Sequence, residues 1–240
     1  MTAPAAGGGI VIAGPTAFRS AFGVSRETTE KFETYAAVLT QWQKAVQLVA
    51  PSTLDAVWSR HFADSAQLAA LVPAGARTWA DFGSGAGFPG LVIAILARDA
   101  GSAFPDLHVT LLESDTRKAA FLREVARQVG VPVDILGTRI ELPATQAKVG
   151  PVDVISARAL ASLTDLFRLT HPFWKPGTLG LFLKGRDVEA EIEAARLAWR
   201  FKLELKPSST DATGRIACVR NLSAGTTPGA KAEGKPRDRH

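Results

Sequence analysis

The stretch Asp81-Phe82-Gly83-Ser84-Gly85-Ala86-Gly87-Phe88-Pro89-Gly90 decides the fold. It follows a short apolar run, residues 78–82, that reads as a strand, and it precedes Leu91-Val92-Ile93-Ala94-Ile95-Leu96-Ala97, which reads as a helix. Glycines at such a turn let the chain bend sharply and let a ligand approach the backbone where a Cβ would collide. Open α/β sheets bind ligands at this place, outside the carboxyl end of a strand, so the loop reads as a cofactor cradle. Two frames fit it. Gly85, Gly87 and Gly90 satisfy the dinucleotide spacing. Asp81, Gly83, Gly85 and Gly87 instead make the arrangement of S-adenosylmethionine (SAM) sites, where an acid at the strand tip can hold the cofactor's cationic methionine end, directly or through water. A pyrophosphate at that spot would be repelled by Asp81.

Outward from the loop, apolar β-rich runs alternate with helical stretches. Strands are expected at 78–82, 108–113, 133–136, 152–157 and 179–184, with a last pair at 201–206 and 216–222, and helices at 89–98, 115–129, 162–171 and 188–199. Glu113 closes the second strand, where an acid accepts hydrogen bonds from both ribose hydroxyls in NAD and SAM sites alike. Upstream, Phe32, Tyr35, Ala36, Leu39, Trp42, Val46 and Val49 recur at helical spacing, predicting a helix over 26–50, and a second is expected over 53–71. The expected fold is a doubly wound α/β, Rossmann-like sheet of about seven strands with an N-terminal helical extension. Residues 1–18 are expected to be flexible, 19–222 to form one domain (extension 19–75, core 76–222), and 223–240 to be a basic flexible tail.

A chain of 240 residues, 46% hydrophobic and 21% charged, suits one elaborated domain. Its 28 Lys and Arg exceed its 23 Asp and Glu by five. The tail from Ser223 carries four basic and two acidic side chains, which leaves a modest excess of three for the body. A polyanionic partner is therefore compatible with the charge and not established by it. The single cysteine, Cys218, excludes an intrachain disulfide and a cysteine-rich zinc site, and a reducing cytoplasm is the expected compartment. No secretion signal, membrane span or metal-ligand spacing is read from the sequence.

Residues after the fourth strand bear on which atom is alkylated. Ser156-Ala157-Arg158-Ala159-Leu160 has none of the Asn-Pro-Pro-Tyr character used on exocyclic amines, and Cys218 sits in an apolar run that reads as core rather than as a nucleophile. A nucleophile that already offers a lone pair, such as guanine N7, fits what remains. Arg158 and Lys184, at the ends of the fourth and fifth strands, are suited to gripping guanine O6 or the cofactor carboxylate, or to pairing with neighbouring acids. His61 and Asp64, three apart on one helix face, read as a buried pair buttressing the loop, with His61 facing substrate as the alternative. Arg117, Lys118, Arg123 and Arg127 read equally as a solvated face or an RNA-facing one.

Eight motifs in order then resemble one family: Trp42-Gln43-Lys44, Arg60-His61-Phe62-Ala63-Asp64-Ser65, Gly83 through Gly90, Leu111-Leu112-Glu113-Ser114, Lys118-Ala119-Ala120-Phe121-Leu122, Arg139-Ile140-Glu141, Ser156-Ala157-Arg158-Ala159 and Leu183-Lys184-Gly185. The family is RsmG, also called GidB. The resemblance implies a class I SAM-dependent methyltransferase that transfers a methyl group from S-adenosyl-L-methionine to N7 of a guanosine, position 527 in standard numbering, in 16S ribosomal RNA. It implies cofactor contacts at Gly83, Phe88, Ile140, Glu141 and Arg158, with Glu113 as the strand-two acid. With the loop residues Asp81, Gly85 and Gly87 these form the candidate cofactor set, and Arg158 and Lys184 are the candidate catalytic residues. The implied partner is 16S ribosomal RNA or the small ribosomal subunit, and a cytoplasmic monomer without metal or membrane is expected. Gln47-Leu48-Val49 departs from the family's Asn-Leu-Thr, and Ser84-Gly85-Ala86-Gly87 from its Thr-Gly-Pro-Gly. An NAD-dependent oxidoreductase and a non-catalytic nucleotide- or RNA-binding protein remain the alternatives.

Overall fold

The computed structural model describes residues 11–225. Seven strands form one sheet: β1 (Thr78–Phe82), β2 (His108–Leu112), β3 (Asp134–Leu136), β4 (Val154–Arg158), β5 (Leu179–Lys184), β6 (Trp199–Pro207) and β7 (Arg215–Ala224). Their order is β3-β2-β1-β4-β5-β7-β6. The first five strands are mutually parallel, whereas β7 runs antiparallel to both β5 and β6. The strand order reverses between β1 and β4, which opens a crevice at their carboxyl ends.

Helices cover both faces. On one lie α1 (Pro15–Phe22), α2 (Arg26–Gln43), a broken helical segment and two core helices, α4 (Gly90–Ala97) and α5 (Thr116–Val129). Every residue of α4 is buried. A helix apolar all round needs cover on its outer side as well as against the sheet, and α2 with the broken segment supplies it. Phe18, Phe32, Tyr35 and Phe62 are fully buried there. The other face carries α7 (Leu163–Thr170) and α8 (Val188–Ala198), packed through Phe167, Phe173, Phe182 and Val188. A short helix, α6 (Pro143–Val149), links β3 to β4.

Four expectations change. Residues 15–18, expected to be flexible, begin α1 because Phe18 and Phe22 insert into the core and Gly23 caps the helix in the left-handed region, at φ 63°. The first long helix stops at Gln43 rather than continuing to 50. There the Gln43 side chain accepts from Leu48 and Val49 N–H and donates to the Val49 carbonyl, turning the chain toward the crevice. The segment expected as one helix over 53–71 is 3₁₀ at Pro51–Thr53, a π turn at Trp58–Ala63, a single α turn (α3, Asp64–Ala66) and 3₁₀ again at Gln67–Leu71. The tail expected from 223 is ordered over its first residues, since β7 includes Ser223 and Ala224 and the Gly225 N–H donates to the Ala198 carbonyl at 2.7 Å; residues 1–10 and 226–240, also expected to be flexible, lie outside the described residues. Among the described residues no helix is long and apolar enough to cross a membrane, and no cluster of metal-ligating side chains is present.

Candidate active site

Two cavities meet at the carboxyl ends of β1 and β4. The smaller, about 410 Å³, is lined by Gly83, Gly85, Phe88, Glu113, Ile140, Glu141 and Arg158 among others. The larger, about 700 Å³, is lined by Thr53, Arg60, His61, Asp64, Arg158, Lys184, Glu191, Asp211 and Arg215 among others. Both sizes are those of ligand sites. They share Leu48, Arg158, Ala159 and Leu160 as a common wall.

The glycine loop builds the smaller cavity. Gly83, Gly85 and Gly87 all have positive φ, a region that costs other residues strain. Glu113 braces the loop by accepting the Gly85 N–H at 2.8 Å through Oε2 and the Asp115 N–H at 2.8 Å through Oε1. Each carboxylate oxygen keeps a further lone pair for a ligand hydroxyl. A Cβ on Gly85 would meet nothing nearer than the Gly83 carbonyl at 3.9 Å. The backbone is thus bare on the side where a nucleoside would lie.

Seven of the predicted cofactor residues line this cavity, and two do not. Asp81 is fully buried, and its Oδ1 accepts from the Ser156 hydroxyl at 2.6 Å. Strand alternation is the cause: one residue before the end of β1, Asp81 points between the sheet and α4 rather than out of the strand tip. Burial pushes its carboxyl up to about 6, against the hydrogen bonds from Ser156 and Ser84. Its place is under the loop, where a Cβ on Gly90 would come within 2.8 Å of Oδ2. Gly87 likewise faces inward, since a Cβ there would run into the Tyr35 hydroxyl and stand 2.9 Å from Leu91 Cβ. Tyr35 donates its own hydroxyl to the Ala86 carbonyl, bolting α2 to the loop.

Arg158 stands at the shared wall. Its Nη1 donates to the Arg60 carbonyl at 3.2 Å and lies 3.5 Å from Asp64 Oδ2, its Nη2 lies 3.1 Å from His61 Nδ1, and its Cζ sits 4.9 Å from the Phe88 ring centre. Phe88, expected to contact the cofactor, is 3% exposed and stacks with Tyr35 at 5.5 Å and His61 at 4.9 Å. His61 and Asp64 therefore do not pair with each other as expected, because each is turned to Arg158. Burial, followed by the charges of Arg158 and Arg60, lowers His61 to about 3. Burial also raises the Asp64 carboxyl, with Arg158 and Thr210 opposing. The next residue, Ala159, has φ 53°, an uncommon conformation for a non-glycine residue, and Leu160 folds back over Gly83. Sequence reading missed Leu160, which carries no chemical signature.

Lys184 lines the larger cavity alone, and its ammonium is occupied: Nζ donates to the Ala161 carbonyl at 2.6 Å and to Glu191 Oε2 at 2.7 Å. With Arg60–Asp211 at 2.8 Å and Arg158–Asp64 at 3.5 Å, it makes three ion pairs around this cavity.

A family model described as rRNA small subunit methyltransferase G (GidB) matches residues 28–216. The chain is 52% identical over 201 residues, 84% of its own length and 88% of the relative's, to ribosomal RNA small subunit methyltransferase G of Rhodospirillum centenum. It is 46% identical over 222 residues, 92% and 96% of the two lengths, to the protein of the same name from Parvibaculum lavamentivorans. Among solved structures, an O-methyltransferase from Bacillus cereus in complex with SAH aligns at a TM-score of 0.51 with 17% identity, covering 79% of this chain and 91% of that one, a likeness of fold.

Proposed function

The chain belongs to the rRNA small subunit methyltransferase G (GidB) family, and from that premise we propose that it transfers a methyl group from S-adenosyl-L-methionine to N7 of guanosine 527 in 16S ribosomal RNA. It is an enzyme of the SAM-dependent class, and neither the oxidoreductase nor the non-catalytic reading is carried further. The smaller cavity suits the cofactor: open glycine backbone at Gly85, the Glu113 carboxylate for ribose hydroxyls, and Ile140 with Glu141 beside them. When bound there, SAM supplies an electrophilic methyl on a sulfonium. The larger cavity then takes the guanosine, with Arg158 at the boundary.

One observation carries the choice of acceptor atom. Around Arg158, the groups that could remove a proton are committed: both His61 nitrogens have partners, and Asp64 accepts from Arg158, Gln67 and Thr210. Guanine N7 has a lone pair in the ring plane and no proton to lose, so its methylation calls for alignment and exclusion of water rather than for a base. Methyl transfer to N7 would then ask no residue of this wall to take up a proton. The Arg158 N–H groups left over suit O6, the acceptor beside N7. Asp81 and Gly87 act one layer back, holding the loop's shape, and Lys184 orders the cavity wall through Glu191. We further infer that the enzyme works as a monomer in the cytoplasm, where ribosomal subunits are assembled.

Mass spectrometry of 16S ribosomal RNA from a strain lacking the gene tests the assignment: 7-methylguanosine at 527 should vanish and return on complementation, and its persistence would refute the assignment. Arg158→Ala should lower kcat by about a hundredfold or more with the circular-dichroism spectrum unchanged, as for loss of one preorganised donor.

A further inference from the structure

Arg158 is held by a chain of hydrogen bonds whose polarity can be read link by link. Arginine has no acceptor atom, and its Nη2 lies 3.1 Å from His61 Nδ1, so that nitrogen carries the lone pair. A neutral imidazole then keeps its proton on Nε2, which lies 2.9 Å from Thr53 Oγ1. The Thr53 hydroxyl proton already has an acceptor, the Ala50 carbonyl at 2.8 Å. Its oxygen is thereby left to accept from Nε2–H. Every donor in the chain, from arginine to carbonyl, has one role, and the tautomer of His61 is fixed by it.

We propose that His61 is a positioning residue for Arg158, locked by Thr53 in the Nε2–H tautomer so that its Nδ1 lone pair sets the plane of the guanidinium at the wall between the two cavities. The inference rests on the reading of Arg158 given above. The imidazole is itself stacked on Phe88 with the planes 15° apart. The Arg60 carbonyl and Asp64 take the Nη1 hydrogens, while His61 takes one from Nη2. Two anchors on different nitrogens define a plane, and they leave Nε–H and the second Nη2–H for a ligand. A protonated His61 would direct a second N–H at the guanidinium and break the chain, and the strong downward push on its pKa agrees with its staying neutral.

The test uses the full-length protein with SAM and small subunits from the deletion strain. Nitrogen-15 spectra of the histidine rings should show His61 with an unprotonated Nδ1 and a protonated Nε2 from pH 5 to 8, and Thr53→Val should abolish that preference. His61→Leu should lower kcat by about a hundredfold and Thr53→Val by about tenfold, the cost of losing a hydrogen bond to a charged group. In both variants KM for SAM should stay within about twofold of wild type. His61→Asn, whose amide oxygen replaces the Nδ1 acceptor, should recover most of the loss, which a purely space-filling role would not allow. A protonated Nδ1 in the wild type, or His61→Asn no better than His61→Leu, overturns the proposal. Arg158→Ala run alongside separates the two claims: if it keeps full activity, the reading of Arg158 itself fails, whatever the tautomer.

Discussion

His61 and Asp81 both pack against the glycine loop, at Phe88 and Gly90, and burial moves them in opposite directions because it favours the neutral form of each. His61 falls from 6.5 to about 3, and Asp81 rises from 3.8 to about 6. Between pH 3 and 6.5 the unfolded chain binds a proton at His61 that the folded one refuses, so this group makes stability rise with pH across that window. Asp81 acts the other way between 3.8 and 6, where the folded state holds the extra proton and its contribution fades as pH rises. The larger displacement belongs to His61, so His61→Asn should flatten the loss of stability from pH 6.5 down to 4. Thermal melts of both proteins across that range check it, and parallel curves would count against the burial argument. At this scale the sequence was legible where side chains leave a strand end and opaque where they alternate inward. Glu113 lies just past the end of β2 and lines the smaller cavity, where it also accepts the Gly85 N–H. Asp81 is one residue short of the end of β1, and pleating turned it into the interior.

The loop's glycines do different work, and this separates their mutants. Gly87 is pressed beneath Tyr35 and against Leu91, so Gly87→Ala should destabilise the fold by about 2 kcal/mol or more through overpacking and a positive φ. Gly85 at φ 56° has open space, and Gly85→Ala should cost only about 1 kcal/mol of stability while weakening SAM binding measured by calorimetry. Tyr35→Phe leaves the Ala86 carbonyl buried without its donor, a loss of about 1–3 kcal/mol in denaturant unfolding. The parallel strands could be read because each is a short apolar run bounded by turns. The segment from Pro51 to Leu71 could not, since apolar spacing is nearly the same for α, π and 3₁₀ turns. What breaks it is tertiary: His61 must reach both Thr53 and Arg158 while Phe62 fills the core. α1 was hidden by Gly14-Pro15, a pair that reads as a turn although proline is also suited to a helix's first position.

Taken whole, the molecule carries five more basic than acidic side chains, a balance compatible with a polyanionic partner. Arg60, Arg158, Lys184 and Arg215 do line the larger cavity, yet Asp211, Asp64 and Glu191 meet three of them. Composition records neither neighbours nor pairing, so this cancellation was beyond its reach. Among the described residues Arg215 has no carboxylate partner, bonding instead to the Ala212 and Gly214 carbonyls. Ion pairing has a measurable consequence for how the enzyme holds RNA. A cation already neutralised by a carboxylate displaces few counterions when a phosphate approaches, so Arg60→Gln should leave the slope of log affinity against log salt unchanged. Arg215→Gln should make that slope shallower by about one unit, as expected for a lost phosphate contact. Filter binding of 16S ribosomal RNA from 50 to 200 mM salt distinguishes them. The cavity would then tell guanosine from other bases by shape and hydrogen bonding at any ionic strength, while the ionic atmosphere governs how long the rest of the RNA stays.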